Sequence, residues 1–247
     1  MPKLAIVAVV AALAGVAIGL RISVKRDQKR SQQQDDEQAR AIAAARRNLR
    51  DRRGVCVFLG SKPGRREEYV IAARQLGQEI ARRGFSLVYG GGDVGLMGEL
   101  ARSVHENGGT VVGVIPRALA PRELSGVGVQ IDNTILTNTM HERKQLMASF
   151  ADAFIALPGG FGTMEEVVEA ITWTQLGIHD KPMGLLNTAD FYGPMYEFFK
   201  QASTEGFINA SSLDIVIVES DPAKMLEKVM SHRPPPGLAT NWSPHSI

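Results

Sequence analysis

The chain is poor in the residues that staple or ligate. Cysteine occurs once in 247 residues, at Cys56, so no internal disulfide can form and a Cys-rich structural zinc site is excluded. The five histidines show no metal-ligand spacing, and no metal is expected. Charge of neither sign dominates: 28 Lys and Arg against 26 Asp and Glu leave +2, too small an excess to argue for nucleic acid as a partner. Aromatics make up only 6%, and no internal repeat is visible. What remains, 44% hydrophobic and 22% charged, is the composition of a globular protein long enough to bury a substantial core.

The basic residues are concentrated near the N-terminus, between Arg21 and Arg53. Before them, residues 4–20 form an uninterrupted apolar or small-residue run, at the short edge of what spans a bilayer. Lys3 precedes the run, whereas Arg21, Lys25 and Arg26 follow it. A removable signal peptide carries its charge mainly in front, and charge behind keeps the following chain in the cytoplasm. Residues 1–22 are therefore expected to attach the protein to a membrane with its remainder cytoplasmic. An organelle-targeting leader is the alternative, because no acid appears before Asp27. Residues 23–53, polar and Gln/Arg-rich, read as an exposed helix or a charged linker outside any core.

From Gly54 the pattern changes. Short aliphatic runs at Val55–Leu59, Ser86–Tyr89, Thr110–Ile115, Ala153–Leu157, Met183–Leu186 and Asp214–Val218 alternate with helical patterns at Arg66–Arg83, Gly95–Asn107, Thr139–Ala151, Met164–Leu176, Pro194–Thr204 and Pro222–Ser231. Continuous apolar strands alternating with amphipathic helices predict an α/β, Rossmann-like fold over 54–231: a mainly parallel sheet covered by helices on both faces. The tail 232–247, opening on His232 and Pro234–Pro236, cannot continue a helix and is expected to be flexible.

Three segments carry candidate chemistry. In VYGGGDVGLMG (88–98), Gly90, Gly92 and Gly95 satisfy G-x-G-x-x-G between a strand and a helix. The acid a dinucleotide site would place about 20 residues on is replaced by Pro116 and Arg117. Gly90, Gly91 and Gly92 therefore form either a packing turn or a phosphate or sugar site made by backbone N–H groups. In TMHERKQLM (139–147), adjacent Arg143 and Lys144 point about 100° apart, so only one can aim squarely at a site; a solvated basic pair is the plain alternative. In LPGGFGTMEEV (157–167), a strand, a glycine turn and a helix start follow one another. Thr163 and Glu166 fit a capping box, but capping does not require Gly159, Gly160 and Gly162 together. Three glycines let the backbone approach a ligand, with an anion site at the helix start. The helix dipole is expected to hold Glu165 and Glu166 ionised, suited to orienting water or stabilising positive charge.

Together YGGGDVGLMG, GVIPRALAPREL, MHERK, LPGGFGTMEE and ITWTQLGIHDKPMGLLN resemble the LOG (Lonely Guy) family of cytokinin riboside 5′-monophosphate phosphoribohydrolases, across about residues 54–231. The specific part is the pair MHxRK and PGGxGTxxE. The resemblance implies hydrolysis of the N-glycosidic bond of a nucleotide, releasing base and ribose 5-phosphate, with no cofactor and with a homodimer as the assembly. It puts the catalytic pair on Arg143 and Glu166. Substrate contacts fall on Glu123, Lys144, Gly160, Phe161, Gly162, Thr163, Met164, Glu165 and Thr172. Two rivals use a similar pocket: a nucleotide or molybdenum-cofactor carrier, which needs no Arg and Glu converging on a ribose, and an NADP-dependent oxidoreductase reading a 2′-phosphate with Arg117. A lysine decarboxylase is not expected, since no pyridoxal-binding lysine context is evident.

Overall fold

The computed structural model describes Arg26 and residues 28–124 and 133–238. The apolar run 4–20 lies outside the described residues, as do 125–132 and 239–247.

Seven strands make one wholly parallel sheet in the order β4-β3-β2-β1-β5-β6-β7. They are β1 (Gly54–Phe58), β2 (Ser86–Tyr89), β3 (Thr110–Pro116), β4 (Thr134–Thr137), β5 (Ala153–Ala156), β6 (Met183–Leu186) and β7 (Val216–Glu219). The central strands β1, β2 and β5 are buried at every position, as a parallel sheet covered on both faces requires. The covering helices are α2 (Glu67–Arg82), α3 (Gly95–Glu106), α5 (Met140–Phe150), α6 (Phe161–Leu176), α7 (Gly193–Thr204) and α8 (Pro222–Ser231), with a single-turn α4 at Ala120–Glu123. In α2 the buried residues Ala72, Ala73, Leu76, Gly77 and Ile80 recur at helical spacing. Gly77 is a close-approach point: a Cβ there would sit 2.7 Å from that of Ser103 in α3. The Rossmann-like α/β expectation is met.

Differences from the sequence reading have local causes. β4 falls inside a stretch read as loop; its four residues alternate between half-buried and buried at the sheet edge, too short a pattern to stand out. Residues 28–49 form a helix, α1, mostly exposed, which is one of the two alternatives expected for 23–53. The chain divides into compact units Met1–Ala43 and Ala44–Ile247. Within the second, Ala45 is fully buried, Asn48 Nδ2 donates to Asn133 Oδ1 at 2.8 Å, and the Ser86 N–H donates to the Arg53 carbonyl at 3.0 Å. The folded unit thus begins before Gly54. At the other end, the Leu238 N–H donates to the Gln175 carbonyl at 2.9 Å, so the tail up to Leu238 lies along the end of α6. No described helix is long and apolar enough to cross a membrane.

The strand order reverses between β1, which leads outward to β2, β3 and β4, and β5, which leads to β6 and β7. Neighbouring loops at such a reversal diverge and leave a crevice beyond the carboxyl ends of the strands. Here a cleft of about 320 Å³ lies between the turn after β1 and the turn after β5. Gly95, at the start of α3, has φ +55°, and a Cβ on it would strike the Ser61 carbonyl and sit 2.6 Å from the Lys62 nitrogen. Gly95→Ala is expected to cost about 1–3 kcal/mol from backbone strain and that collision. Urea unfolding reads this as a lower midpoint at constant slope; an unchanged midpoint would show that α3 can start elsewhere without penalty.

Candidate active site

Four elements converge on one ion pair. Arg143 projects from the first turn of α5, whose start is fixed by Thr139: its hydroxyl accepts from the Glu142 N–H at 3.1 Å, while the Glu142 carboxylate accepts from the Asn138 N–H at 2.8 Å. The guanidinium then donates through Nε to the Val114 carbonyl of β3 at 3.1 Å and through Nη2 to the Gly90 carbonyl after β2 at 3.2 Å. Its Nη1 lies 3.4 Å from Glu166 Oε1 on α6. Both side chains are nearly dry, with 9% and 11% of their surface exposed. The glycine at 90 has a direct cause, since a Cβ there would strike Arg143 Nη2. The solvated basic pair is therefore overturned.

Two sequence expectations about Glu166 are corrected. α6 starts at Phe161 with Gly160 as its N-cap, so Thr163 is a buried residue inside the helix and makes no capping box with Glu166. A threonine cap is used at Thr139 instead, with Glu142 accepting from the N–H of the preceding Asn138. Nor is Glu166 held firmly ionised. Burial pushes its carboxyl from the ordinary 4.5 up to about 7, outweighing the Arg143 guanidinium that pulls it down; Glu165 and Glu123 add to the rise and Lys144 opposes it. A carboxyl in that range exchanges protons near neutral pH, as a general acid or base should.

Lys144 turns the other way, as the 100° offset predicts, and is buried with its Nζ 2.5 Å from Glu165 and 2.7 Å from Glu169. Lys144 and Glu165 thus occupy each other. Beneath the pair, Cys56 is fully buried and its thiol pushed well up by burial, which makes it inert. Glu123 is carried in by α4, whose carbonyl accepts from the Asp93 N–H at 2.9 Å. Glu123 Oε2 is buried with no hydrogen-bond partner among the described residues, and its Cβ lies 3.5 Å from where a Cβ on Gly92 would stand. Gly91 has φ +82°, which lets the turn after β2 fold over Ile115.

The three glycines after β5 differ. A Cβ on Gly159 would strike Thr163, so this glycine serves packing. Around Gly160 and Gly162 there is open space, and the fold itself does not demand glycine there. Phe161 and Met164 point outward, Phe161 with 91% of its surface exposed. Thr172 is not brought to the pair: its hydroxyl donates to the Val168 carbonyl at 2.7 Å, and it lines a separate groove with Ile171, Phe199 and Leu213. The sequence reading passed over the turn after β1. Gly60, Ser61 and Lys62 line one side of the 320 Å³ cleft, facing Gly159 and Gly160, with Tyr69 and Phe191 as an apolar wall. Its signal, a Gly-Ser-Lys-Pro-Gly stretch straight after an apolar strand, was present.

Residues 97–229 match the family described as "Possible lysine decarboxylase". Over 198 residues the chain is 47% identical to cytokinin riboside 5′-monophosphate phosphoribohydrolase LOG of Oryza sativa subsp. japonica, covering 79% of this chain and 81% of that one. It is 46% identical over 182 residues to LOG3 of Arabidopsis thaliana, with 74% and 84% covered. The chain belongs to the LOG family. Among solved structures, the molybdenum-cofactor carrier protein of Chlamydomonas reinhardtii superposes with a TM-score of 0.54 at 27% identity, covering 71% of this chain and 94% of that one.

The raised Glu166 carboxyl makes this LOG member's stability depend on pH. The folded state holds the proton up to about 7 and the unfolded chain only to about 4.5. The contribution of Glu166 is therefore fully present below 4.5 and is lost as pH rises to about 7. Each unit of difference is worth 1.36 kcal/mol, so the loss is on the order of 3 kcal/mol at most. Glu166→Gln removes this dependence. The stability gap between wild type and Glu166→Gln should shrink or reverse from pH 4.5 to 7.5; parallel pH curves for the two proteins would contradict the buried acid.

Proposed function

We propose that this LOG protein hydrolyses the N-glycosidic bond of cytokinin riboside 5′-monophosphates, giving the free base and ribose 5-phosphate. The observation that carries the reading is the dry Arg143–Glu166 pair at the carboxyl ends of the strands, beside glycines the fold leaves open. Water adds to the anomeric carbon, the carbon–nitrogen bond breaks, and the base leaves with the bonding electrons and takes a proton. Positive charge develops on the ribose in between. Glu166 with its proton off stabilises that charge and accepts the proton of the attacking water, while Arg143 fixes the carboxylate and tunes it. A group poised at about 7 can then release the proton to the leaving base. Glu123, with its unpartnered oxygen, is suited to accept a hydrogen bond from the base. The backbone at Gly160–Gly162, at the start of α6, is suited to the phosphate.

Pairs of chains complete the site. Phe161, Met164 and Val168 make an exposed apolar stripe on α6, with Phe198 and Phe207 also exposed nearby in sequence on α7 and the loop after it. Thr172 lies on the same outward side, so it reaches a substrate across a two-fold axis rather than in its own chain. A cofactor carrier shares the fold, but it has no use for a desolvated acid aimed at a ribose. Residues 4–20 anchor the protein to a membrane, with the α/β domain in the cytoplasm.

The reaction is tested by chromatography of products from isopentenyladenosine monophosphate, AMP and isopentenyladenosine in parallel. The monophosphate of isopentenyladenosine should release its base and the nucleoside hardly any, because binding energy from the phosphate orients the ribose. Glu166→Gln should lose roughly 10²- to 10⁴-fold in turnover; near-normal turnover, or equal kcat/KM with and without phosphate, contradicts the reading. Full-length protein should resist an alkaline carbonate wash of membranes, and a chain beginning at Ala44 should be fully active in the soluble fraction. Uncleaved full-length protein in that fraction would remove the anchor.

A further inference from the structure

A nucleotide's phosphate needs a cation, and those beside the reactive pair are engaged. Arg143 donates to two carbonyls and stands against Glu166, and Lys144 lies between Glu165 and Glu169. A dianion at either would compete with carboxylates already paired to a buried cation. The cleft that ends on Gly159 and Gly160, just before the helix that carries Glu166, is differently furnished, and neither Arg143 nor Lys144 lines it. One wall is the backbone of Gly159 and Gly160 leading into α6, the other is Gly60, Ser61 and Lys62, and no carboxylate lines it among the described residues. Lys62 is exposed, and its place is set by the chain on either side. Pro63 holds it extended, Gly64 with φ +78° turns the chain back, and Gly95 presses the start of α3 onto the Ser61–Lys62 backbone. Tyr69 and Phe191 form the apolar remainder of the cleft, and Phe191 follows two residues in left-handed conformation, Ala189 and Asp190. Such backbone persists only where its surroundings hold it, which fixes this wall. Apolar walls reduce screening and strengthen an ammonium–phosphate contact.

We propose that Lys62 is the cation that binds the substrate's 5′-phosphate, with the turn Gly60–Gly64 closing that end of the site in place of Lys144. The proposal rests on the nucleotide-hydrolase reading above. Lys62 grips only the phosphate, so it raises affinity for the nucleotide without touching the bond that breaks. Arg65 and Arg66, exposed in the same stretch and not lining the cleft, take no part.

The test compares Lys62→Ala, Lys62→Arg and Arg66→Ala with wild type in two measurements. In the first, Lys62→Ala should raise KM for isopentenyladenosine monophosphate by roughly 10- to 100-fold, the worth of a charge-assisted contact, with a smaller change in kcat. Lys62→Arg should recover most of the loss, Arg66→Ala should match wild type, and the slow cleavage of the nucleoside should be the same in all four. In the second, ribose 5-phosphate should raise the Tm of wild type and of Arg66→Ala but not of Lys62→Ala. Lys62→Ala with wild-type KM and a wild-type ribose 5-phosphate shift overturns the proposal. If wild type releases no base from any nucleoside monophosphate while the ribose 5-phosphate shift still depends on Lys62, the lysine site stands and the hydrolase reading falls.

Discussion

A carboxyl group kept away from water beside a guanidinium governs the arrangement of this protein's working edge. At 3.4 Å and an effective dielectric near 20, the attraction between Arg143 and Glu166 is on the order of 5 kcal/mol. Removing each ion from water costs several kcal/mol. Desolvation prevails, because the carboxyl sits at about 7 despite its partner. Two backbone carbonyls, Val114 and Gly90, take the place of water around Arg143 and hold its plane. The pair is thus asymmetric: a cation pinned by the sheet and an acid free to change its proton.

That asymmetry depends on the sheet. Parallel strands aim carbonyls and following turns toward one edge, and the reversal between β1 and β5 opens that edge. Arg143 reaches the ends of β2 and β3, Glu166 arrives on the helix after β5, and the cleft on the β1 side ends on Gly159 and Gly160 at the start of that helix. The helix starts around it are set by close backbone contacts. Gly90 clears the guanidinium, Gly95 clears the turn after β1, and Gly159 clears Thr163. These glycines serve the protein's own packing, whereas Gly160 and Gly162 meet nothing.

The fold was legible because its central strands are buried on both faces and read as continuous aliphatic runs, such as Val55–Leu59 and Ala153–Leu157. The four residues of β4 were not, since an edge strand half facing solvent lacks such a run. The convergence of Arg143 and Glu166 could be placed through paired motifs, but their protonation could not. Local sequence sees a glutamate in the first turns of a helix and credits the dipole; only the tertiary structure shows how little water reaches it. The same limit misassigned the cap. Thr163-x-x-Glu166 and Thr139-x-x-Glu142 share one pattern, and packing against Gly159 buries the first threonine while the second stays at a helix start. Thr172, six residues beyond Glu166, was not placed by sequence either: it turns into a separate groove with Ile171 and Phe199, away from the pair.

The positions where the protein departs from easy folding mark its function better than its fold does. A glutamine at 166 would spare the cost of an ionisable group in a dry site, and residues with side chains would fit at 160 and 162 with a smaller loss of backbone entropy on folding. Left-handed Ala189 and Asp190 stand just before the wall of the cleft. Each choice lowers stability without improving packing, and they fall in the turns and helix starts that follow β5 and β6. Stability given up at several such points, with the remaining core packed to near-zero exposure, is what a site shaped for a reaction rather than for a passive ligand leaves behind. A carrier needs an open cradle and fixed walls, which the glycines and the left-handed residues supply. The acid buried against Arg143 is the departure that suits moving a proton, which carriage does not call for.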